Sequence, residues 1–159
     1  MLERNSIDFK HLQSQLAQAV PGEVSIYNQA YLIAHTPLIR THVFHPKTKN
    51  ELAISFELNG DLEGYFVCYL DMEPDEMTGG NFHFFQSLYI ESMNIVLGKF
   101  LTNFERETDF MSTISFPDIQ PQKIENIEAN ASSFEKYCCS YKLVSKLKEY
   151  DCRINLMLK

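Results

Sequence analysis

Apolar and polar residues alternate along the segment 52–58, in which every second position is Leu, Ile or Phe. A period of two is typical of a half-buried β-strand. The Asn59-Gly60 pair that follows is a strong hairpin signal. It leads into residues 62–70, which are apolar at both alternating sets of positions. The pattern therefore predicts a β-hairpin whose second strand lies in the centre of a sheet.

Two other segments show the period of an amphipathic helix. Residues 6–19 bring Leu12, Leu16 and Ala19 to one face. Residues 81–107 form the longest helical candidate in the chain. When the residues of this segment are set 100° apart, aromatic and aliphatic side chains gather on one side and polar side chains on the other. This distribution predicts that the aromatic side is buried against the sheet.

The remaining segments complete the expected fold. Polar stretches without apolar periodicity predict loops at 71–80 and 118–132. Strand-like runs of Ile, Val, Tyr, Leu and Phe occur at 24–34, 38–44, 110–116, 137–147 and 151–158. We therefore predict one α+β domain over residues 1–159, in which an antiparallel-rich sheet packs against the long helix and the shorter N-terminal helix.

The charge balance narrows the range of partners. The chain carries 14 Lys and Arg against 21 Asp and Glu, which gives a formal net charge of −7. Nucleic acid and anionic membrane surfaces both require a basic surface, so neither is expected as a partner. The first residues contain no apolar signal-peptide core, and no apolar run approaches the roughly 18 residues of a membrane span.

The cysteines and histidines do not form a recognisable metal motif. The four cysteines include no Cys-x-x-Cys pair. In the absence of an export signal they are expected to be reduced thiols of a cytoplasmic protein. His42 and His45 stand three residues apart, which places them on opposite faces of an extended strand. No metal is therefore expected to bind to this chain.

The polar side of the long helix carries a spaced motif. Ser87 is followed four residues later by Glu91 and three residues after that by Asn94, and Pro117 follows after 22 more residues. This pattern resembles the signature of the CheC/CheX/FliY family of response-regulator phosphatases, in which Asp or Ser, Glu, Asn and Pro occur at these spacings. The motif occurs once, as it does in CheX-like members.

The resemblance covers about residues 52–118 and implies a CheC-like fold and a mechanism. The amide of Asn94 would enter the phosphorylation site of a CheY-like receiver domain and orient the attacking water. Glu91 would pair with a lysine of the receiver. Ser87 and Pro117 would support the motif. Mg²⁺ would be held by the phosphorylated receiver, so no cofactor is expected in this chain.

The neighbourhood of the motif suggests how a receiver would dock. Apolar residues flank the polar stripe on both sides and suit a partner-binding surface. They are Phe84, Ile90, Ile95 and Leu101, with Gly98 on the stripe itself. Single-motif members of the family pair as dimers, so the resemblance also implies a homodimer. The β-rich residues 134–159 are candidates for strand exchange or edge pairing in it.

Two alternatives to the phosphatase remain open from the sequence. The chain could be a non-catalytic module of the same fold, which docks a receiver or a flagellar-switch partner without turnover. It could also be a small-molecule-binding α+β domain in which the motif is accidental. Solvent exposure of both Glu91 and Asn94 on one face of the helix is required by the phosphatase hypothesis.

Overall fold

A computed structural model describes residues 9–26, 30–34, 36–45, 47–146 and 148–159. Within these residues the chain forms one antiparallel sheet with α-helices on both of its faces. The helices are α1 (Phe9–Ala19), α2 (Pro74–Thr78), α3 (Phe82–Thr108) and α4 (Pro121–Ala129), and a 3₁₀ turn follows at Ala131–Ser133. The strands are β1 (Glu23–Ile26), β2 (Ala30–Ala34), β3 (Ile39–Thr41), β4 (Glu51–Gly60), β5 (Gly64–Asp71), β6 (Ser112–Ile114), β7 (Glu135–Ser145) and β8 (Glu149–Leu158).

The strand order of the sheet is β1-β2-β7-β8-β5-β4-β6, and β3 pairs with β7 beside β2. All of these pairings are antiparallel, so the expected α+β class with an antiparallel-rich sheet is confirmed. The predicted central position of the 62–70 strand is also confirmed, because β5 lies between β4 and β8.

The two faces of the sheet are covered by different helices. On one face, Phe66 and Cys68 of β5 are buried in the core that α1 and α3 complete, and the rings of Phe66 and Phe100 meet edge to face at 5.6 Å. On the other face, Val67 and Tyr69 are buried in a second core beneath α4. This double cover explains why β5 is apolar at both alternating sets of positions.

Helix α3 agrees closely with the segment 81–107 expected from the sequence. It ends where Asp109 adopts a left-handed conformation, with φ at 61°, and its backbone N–H donates to Glu105 O at 2.8 Å. The buried residues of α3 are Tyr89, Ser92, Met93, Val96, Leu97, Phe100 and Phe104. The predicted burial of the aromatic side of this helix is therefore confirmed.

Two expected loops contain helices, and those predictions were wrong. Residues 118–132 include α4. Pro121 is compatible with this helix because it stands in the first turn, where a backbone N–H is not needed. Only Ile124 and Ile127 anchor this helix to the sheet, which is too few apolar residues to show a period. Likewise α2 occupies part of the expected loop 71–80, also with a proline in its first turn.

The β-strand predictions need smaller corrections. The hairpin of β4 and β5 forms, but its loop is at 61–63, because Asn59 and Gly60 continue β4 and pair with β6. The expected strand at 110–116 is reduced to β6. Residues 6–8 of the predicted first helix lie outside the described residues, as do residues 27–29 of the run 24–34.

Residues 134–159 were expected to be candidates for strand exchange or edge pairing in a dimer, but their two strands lie inside the sheet. Strand β8 lies between β7 and β5, and β7 is paired on both of its sides. Neither strand therefore has a long free edge to offer a second chain. The cysteines are all free thiols, and none of the helices in the described part of the chain is long and apolar enough to cross a membrane.

Candidate functional site

The side chains of Glu91 and Asn94 are both exposed on the outward face of α3. They stand one turn apart, about 4.5 Å along the helix axis, and point in similar directions. Ser87, one turn before Glu91, is exposed as well. Among the described residues, none of these three side chains forms a hydrogen bond or an ion pair. The carboxylate and the amide are therefore free to bind a group from another molecule.

The rest of the helix holds this stripe outward. Tyr89, Met93 and Val96, on the opposite side, are at most 1% exposed. Helix α1 packs along α3, and Asn103 Nδ2 donates to Ala19 O at 3.2 Å. Rotation of α3 about its axis would expose these buried residues, so packing on both sides fixes the direction of the polar stripe.

The apolar residues beside the stripe differ in their exposure. Phe84 is 64% exposed and stands one turn before Ser87. Ile90, Ile95 and Leu101 are half-buried because they pack against the main core. The expected apolar rim therefore consists of the exposed ring of Phe84 and three residues that are partly buried in the core.

Gly98 continues the polar stripe toward the C-terminus of α3. A Cβ atom at this position would meet nothing within 4 Å. The fold therefore leaves room for a side chain here, and its absence leaves a shallow gap on the face that carries Asn94.

Pro117 lies at a bulge on the edge of the sheet. Ser115 N donates to Glu57 O at 2.9 Å, and Asp118 N donates to Ser55 O at 2.8 Å. Two residues of the edge segment therefore stand opposite the single residue between Glu57 and Ser55, which defines a β-bulge. A proline is tolerated in such a place because no N–H is needed for the ladder. The bulge directs Phe116 into solvent, where it is 95% exposed.

Sequence comparison and structural comparison give different results. No family model and no curated protein matches the chain in sequence. The structure overlays FliY from Thermotoga maritima over 93% of this chain and 88% of that chain, with 14% identity and a TM-score of 0.55. The structure also overlays a chain of the FliG–FliM complex from H. pylori over 93% of this chain and 85% of that chain, with 9% identity and a TM-score of 0.50. The overlay on a chain of the CheX–CheY–BeF₃–Mg²⁺ complex from Borrelia burgdorferi spans 96% of this chain and 99% of that chain, with 14% identity and a TM-score of 0.49.

The chain has the CheC/CheX/FliY fold. At identities of 9–14% the likeness shows the fold alone. Ser87, Glu91 and Asn94 are on α3, and Pro117 is on the edge segment that follows it.

One feature beside the CheC-like motif was missed in the sequence. Phe116 was assigned to a strand, where alternate side chains would have been buried. The signal that could have revealed its exposure is the proline that follows it, since a proline at a strand end often marks a bulge or an edge. No group of three His, Cys, Asp or Glu residues in the described part of the chain is placed to hold a metal ion.

Proposed function

We propose that this protein is a phosphatase that hydrolyses the aspartyl phosphate of a CheY-like receiver domain. The observation that carries the proposal is the exposed pair Glu91 and Asn94, which has no partner within the described part of the chain and stands one turn apart on α3. The CheC-like fold and the spacing to Pro117 support it. Catalysis by this chain would consist of positioning, because the reacting groups belong to the receiver and to water.

The amide of Asn94 suits the role of orienting water. Its oxygen accepts a hydrogen bond and its nitrogen donates one, and it remains neutral beside the phosphoryl oxygens. In the proposed step the water oxygen attacks phosphorus in line, and the bond from phosphorus to the aspartyl oxygen breaks. The products are the unmodified aspartate side chain of the receiver and inorganic phosphate. The proton of the attacking water leaves with the phosphate or passes to solvent. A carboxylate in place of Asn94 would be repelled by the phosphoryl group.

Glu91 would fix the register of docking. Its carboxylate can form a charge-assisted hydrogen bond with the lysine of a receiver site. The one-turn spacing allows both side chains to enter one cleft side by side. Phe84 lies on the same exposed side and would contact the receiver next to this cleft. No cofactor is proposed for this chain, and Mg²⁺ would be bound by the receiver.

Substitution of the pair tests the proposal directly. We expect Asn94→Ala to lower the rate of receiver dephosphorylation on the order of 10²-fold while binding persists, because only the position of the water is lost. We expect Glu91→Ala to weaken both binding and rate. The measurement is phosphate release from CheY-like receivers of the same organism after phosphorylation with a small phosphodonor.

A matched control is available on the same helix. Glu105 is exposed three to four turns further along α3, so Glu105→Ala removes the same charge away from the pair. It should leave the rate unchanged. Full acceleration of receiver dephosphorylation by Asn94→Ala would falsify the phosphatase assignment.

A second candidate function is a docking module without turnover. It is favoured by the likeness to a chain of the FliG–FliM complex, an assembly of two proteins, at a TM-score of 0.50. In that case the protein would bind its partner through Phe84 and Glu91, and no receiver would lose phosphate faster in its presence. Binding that survives Asn94→Ala, without any acceleration by the unmodified protein, would identify this function.

A further inference from the structure

The first turn of α3 carries the exposed ring of Phe84 but has no side-chain cap of its own. Asn81, which precedes the helix, forms no capping hydrogen bond through its side chain, and the turn contains no acidic residue. Caps and acidic residues are the features that usually stabilise the start of a helix. The position of Phe84, which is 64% exposed, therefore depends on other contacts that hold this turn.

The backbone before α3 provides one of these contacts. Phe82 N donates to Gly79 O at 3.2 Å, and Phe85 N donates to Asn81 O at 3.1 Å. Gly79 directly follows α2. The first turn of α3 is therefore tied to the position of α2.

Helix α2 is held by polar contacts more than by burial. It has no buried residue, and Met77 is only half-buried against the main core. Glu76 Oε1 pairs with Lys148 Nζ at 2.6 Å, and Tyr150 Oη donates to Glu76 Oε2 at 2.7 Å. Lys148 Nζ also lies 4.9 Å from the centre of the Tyr150 ring. Glu76, Lys148 and Tyr150 together form a clasp that fastens α2 to the turn and the second strand of the β7–β8 hairpin.

Aromatic rings connect the clasp with Phe84. The ring centre of Phe85 lies 6.3 Å from that of Tyr150, and the rings of Phe84 and Phe85 meet edge to face at 6.0 Å. Ring pairs at these distances attract each other. The clasp therefore reaches Phe84 by two routes, which are the carbonyl of Gly79 and the ring of Phe85.

Phe84 and Glu91 point in nearly the same direction from α3. Glu91 stands seven positions after Phe84, which corresponds to about two turns and about 10 Å along the helix axis. Under the proposed function, Glu91 contacts a lysine at the phosphorylation site of the receiver. Phe84 would then meet the surface of the receiver about 10 Å from that lysine.

We propose that the clasp positions the first turn of α3 for docking, and that Phe84 selects receivers with an apolar hollow about 10 Å from the phosphorylation-site lysine. This inference rests on the proposed function. A ring that is already held in place binds a partner with little further cost of ordering. The clasp therefore acts on the binding of the receiver and leaves the chemical step to Asn94.

Substitutions separate docking from chemistry. We expect Phe84→Ala to raise the KM for phosphate release, and the Kd for a receiver loaded with beryllium fluoride, on the order of tenfold, because an aromatic anchor is lost. Lys148→Met should raise both constants about threefold because it removes one ion pair. Neither substitution should change kcat, and Lys148→Arg, which keeps the charge, should behave like the unmodified protein.

A double variant tests whether the clasp acts through Phe84. If it does, Lys148→Met should have little further effect on Kd when Phe84→Ala is already present. Undiminished weakening of binding by Lys148→Met in that background would contradict this route. Lys142→Met is the matched control, because Lys142 pairs with Glu149 at 3.3 Å on the face of the sheet opposite to α3. It should leave KM, kcat and Kd unchanged.

Hydrogen exchange tests the clasp without a receiver. The amides of Phe82 and Phe85 should exchange faster in Lys148→Met than in the unmodified protein, because the first turn of α3 opens more often. Equal exchange in the two proteins would overturn the positioning role of the clasp.

Receiver binding distinguishes the failure of this inference from the failure of the proposed function. An unchanged Kd in Phe84→Ala, with acceleration of phosphate release intact, would overturn the role of Phe84 and leave the phosphatase assignment standing. If the unmodified protein neither binds nor dephosphorylates a CheY-like receiver of its own organism, the proposed function fails and the docking role of Phe84 fails with it.

Discussion

Two glycines show how differently single residues serve this molecule. Gly64 adopts a φ of 154°, and a Cβ atom there would lie 1.8 Å from Met157 O, so the fold itself requires glycine. Gly98 lies in the middle of α3 beside open space, and the fold does not require it. A glycine in a helix costs about 0.5–1 kcal/mol relative to alanine. Under the proposed function, Gly98 on the exposed stripe would allow a partner to approach the helix closely.

We expect Gly98→Ala to raise stability and to weaken docking. The free energy of unfolding should increase by about 0.5–1 kcal/mol because alanine favours the helix. The KM for a phosphorylated receiver should rise because the methyl group fills the gap beside Asn94, whereas kcat should change little. Thermal unfolding and steady-state phosphate release measure the two effects.

Gly64→Ala is the contrasting variant, and it should be strongly destabilised by its clash with β8. If Gly98→Ala leaves KM unchanged, Gly98 is not part of the docking surface.

At the level of single residues, the sequence predicted which side chains would be exposed on α3 but not how a partner-facing rim would form. The helical period placed Glu91 and Asn94 correctly on the outward face, since the buried side of α3 is strongly apolar. The period could not show that Ile90 and Leu101 would be shared with the core. The exposure of Phe116 depends on a bulge, which is defined by pairing with a distant strand.

Helix α2 illustrates how an element with no buried residue is fixed in place. Glu76 Oε1 pairs with Lys148 Nζ at 2.6 Å, and Tyr150 Oη donates to Glu76 Oε2 at 2.7 Å. These contacts hold α2 to the β7–β8 hairpin next to the start of α3. Partial burial alone would raise the pKa of Glu76, but hydrogen bonds from Lys148, the Glu73 backbone and Tyr150 outweigh it and lower this pKa.

The lowered pKa of Glu76 makes a prediction about stability and pH. Because the folded state favours the carboxylate, its contribution is present at neutral pH and is lost as the pH falls below the ordinary glutamate pKa of 4.5 and through the lower folded-state pKa. We expect Glu76→Gln to melt about 2–4 °C below the unmodified protein at pH 7.

Melting curves between pH 7 and pH 3 test this prediction. The difference between the two proteins should shrink toward the acidic end, as the carboxylate of Glu76 takes up a proton. Glu105→Gln, at an exposed site, should follow the unmodified protein throughout. A difference between Glu76→Gln and the unmodified protein that stays constant with pH would contradict the ion-pair explanation.

At the level of elements, the sequence predicted those whose periodicity reflects a large buried face. Helix α3 and the β4–β5 hairpin are of this kind. Helix α4 was missed because it rests on the sheet through Ile124 and Ile127 alone, and its first-turn proline resembled a loop signal. Its stability depends on the second core of the sheet, which local patterns do not reveal.

On the scale of the whole molecule, the sheet has free edges among its described strands at β1, β3 and β6. The resemblance to single-motif members implies a homodimer, and the interior position of β8 removes that strand as a means of forming it. A pair of chains would have to use an outer strand or a helical surface.

We expect a homodimer in solution, with a mass twice the 18.5 kDa of one chain. Light scattering at several protein concentrations tests this directly. A constant mass of 18.5 kDa would exclude a stable pair and would leave each copy of α3 to act alone.

The position of β8 between β7 and β5 also bears on the order in which the sheet assembles. The β4–β5 and β7–β8 hairpins each pair strands that are neighbours along the chain, whereas the β5–β8 seam joins strands separated by α2, α3, β6, α4 and β7. Contacts of such long sequence separation are slow to form. Helix α3 packs on both sides of this seam, through Phe100 on Phe66 and through Phe85 near Tyr150. We therefore expect the surface that presents Glu91 and Asn94 to be completed only when the two hairpins have docked.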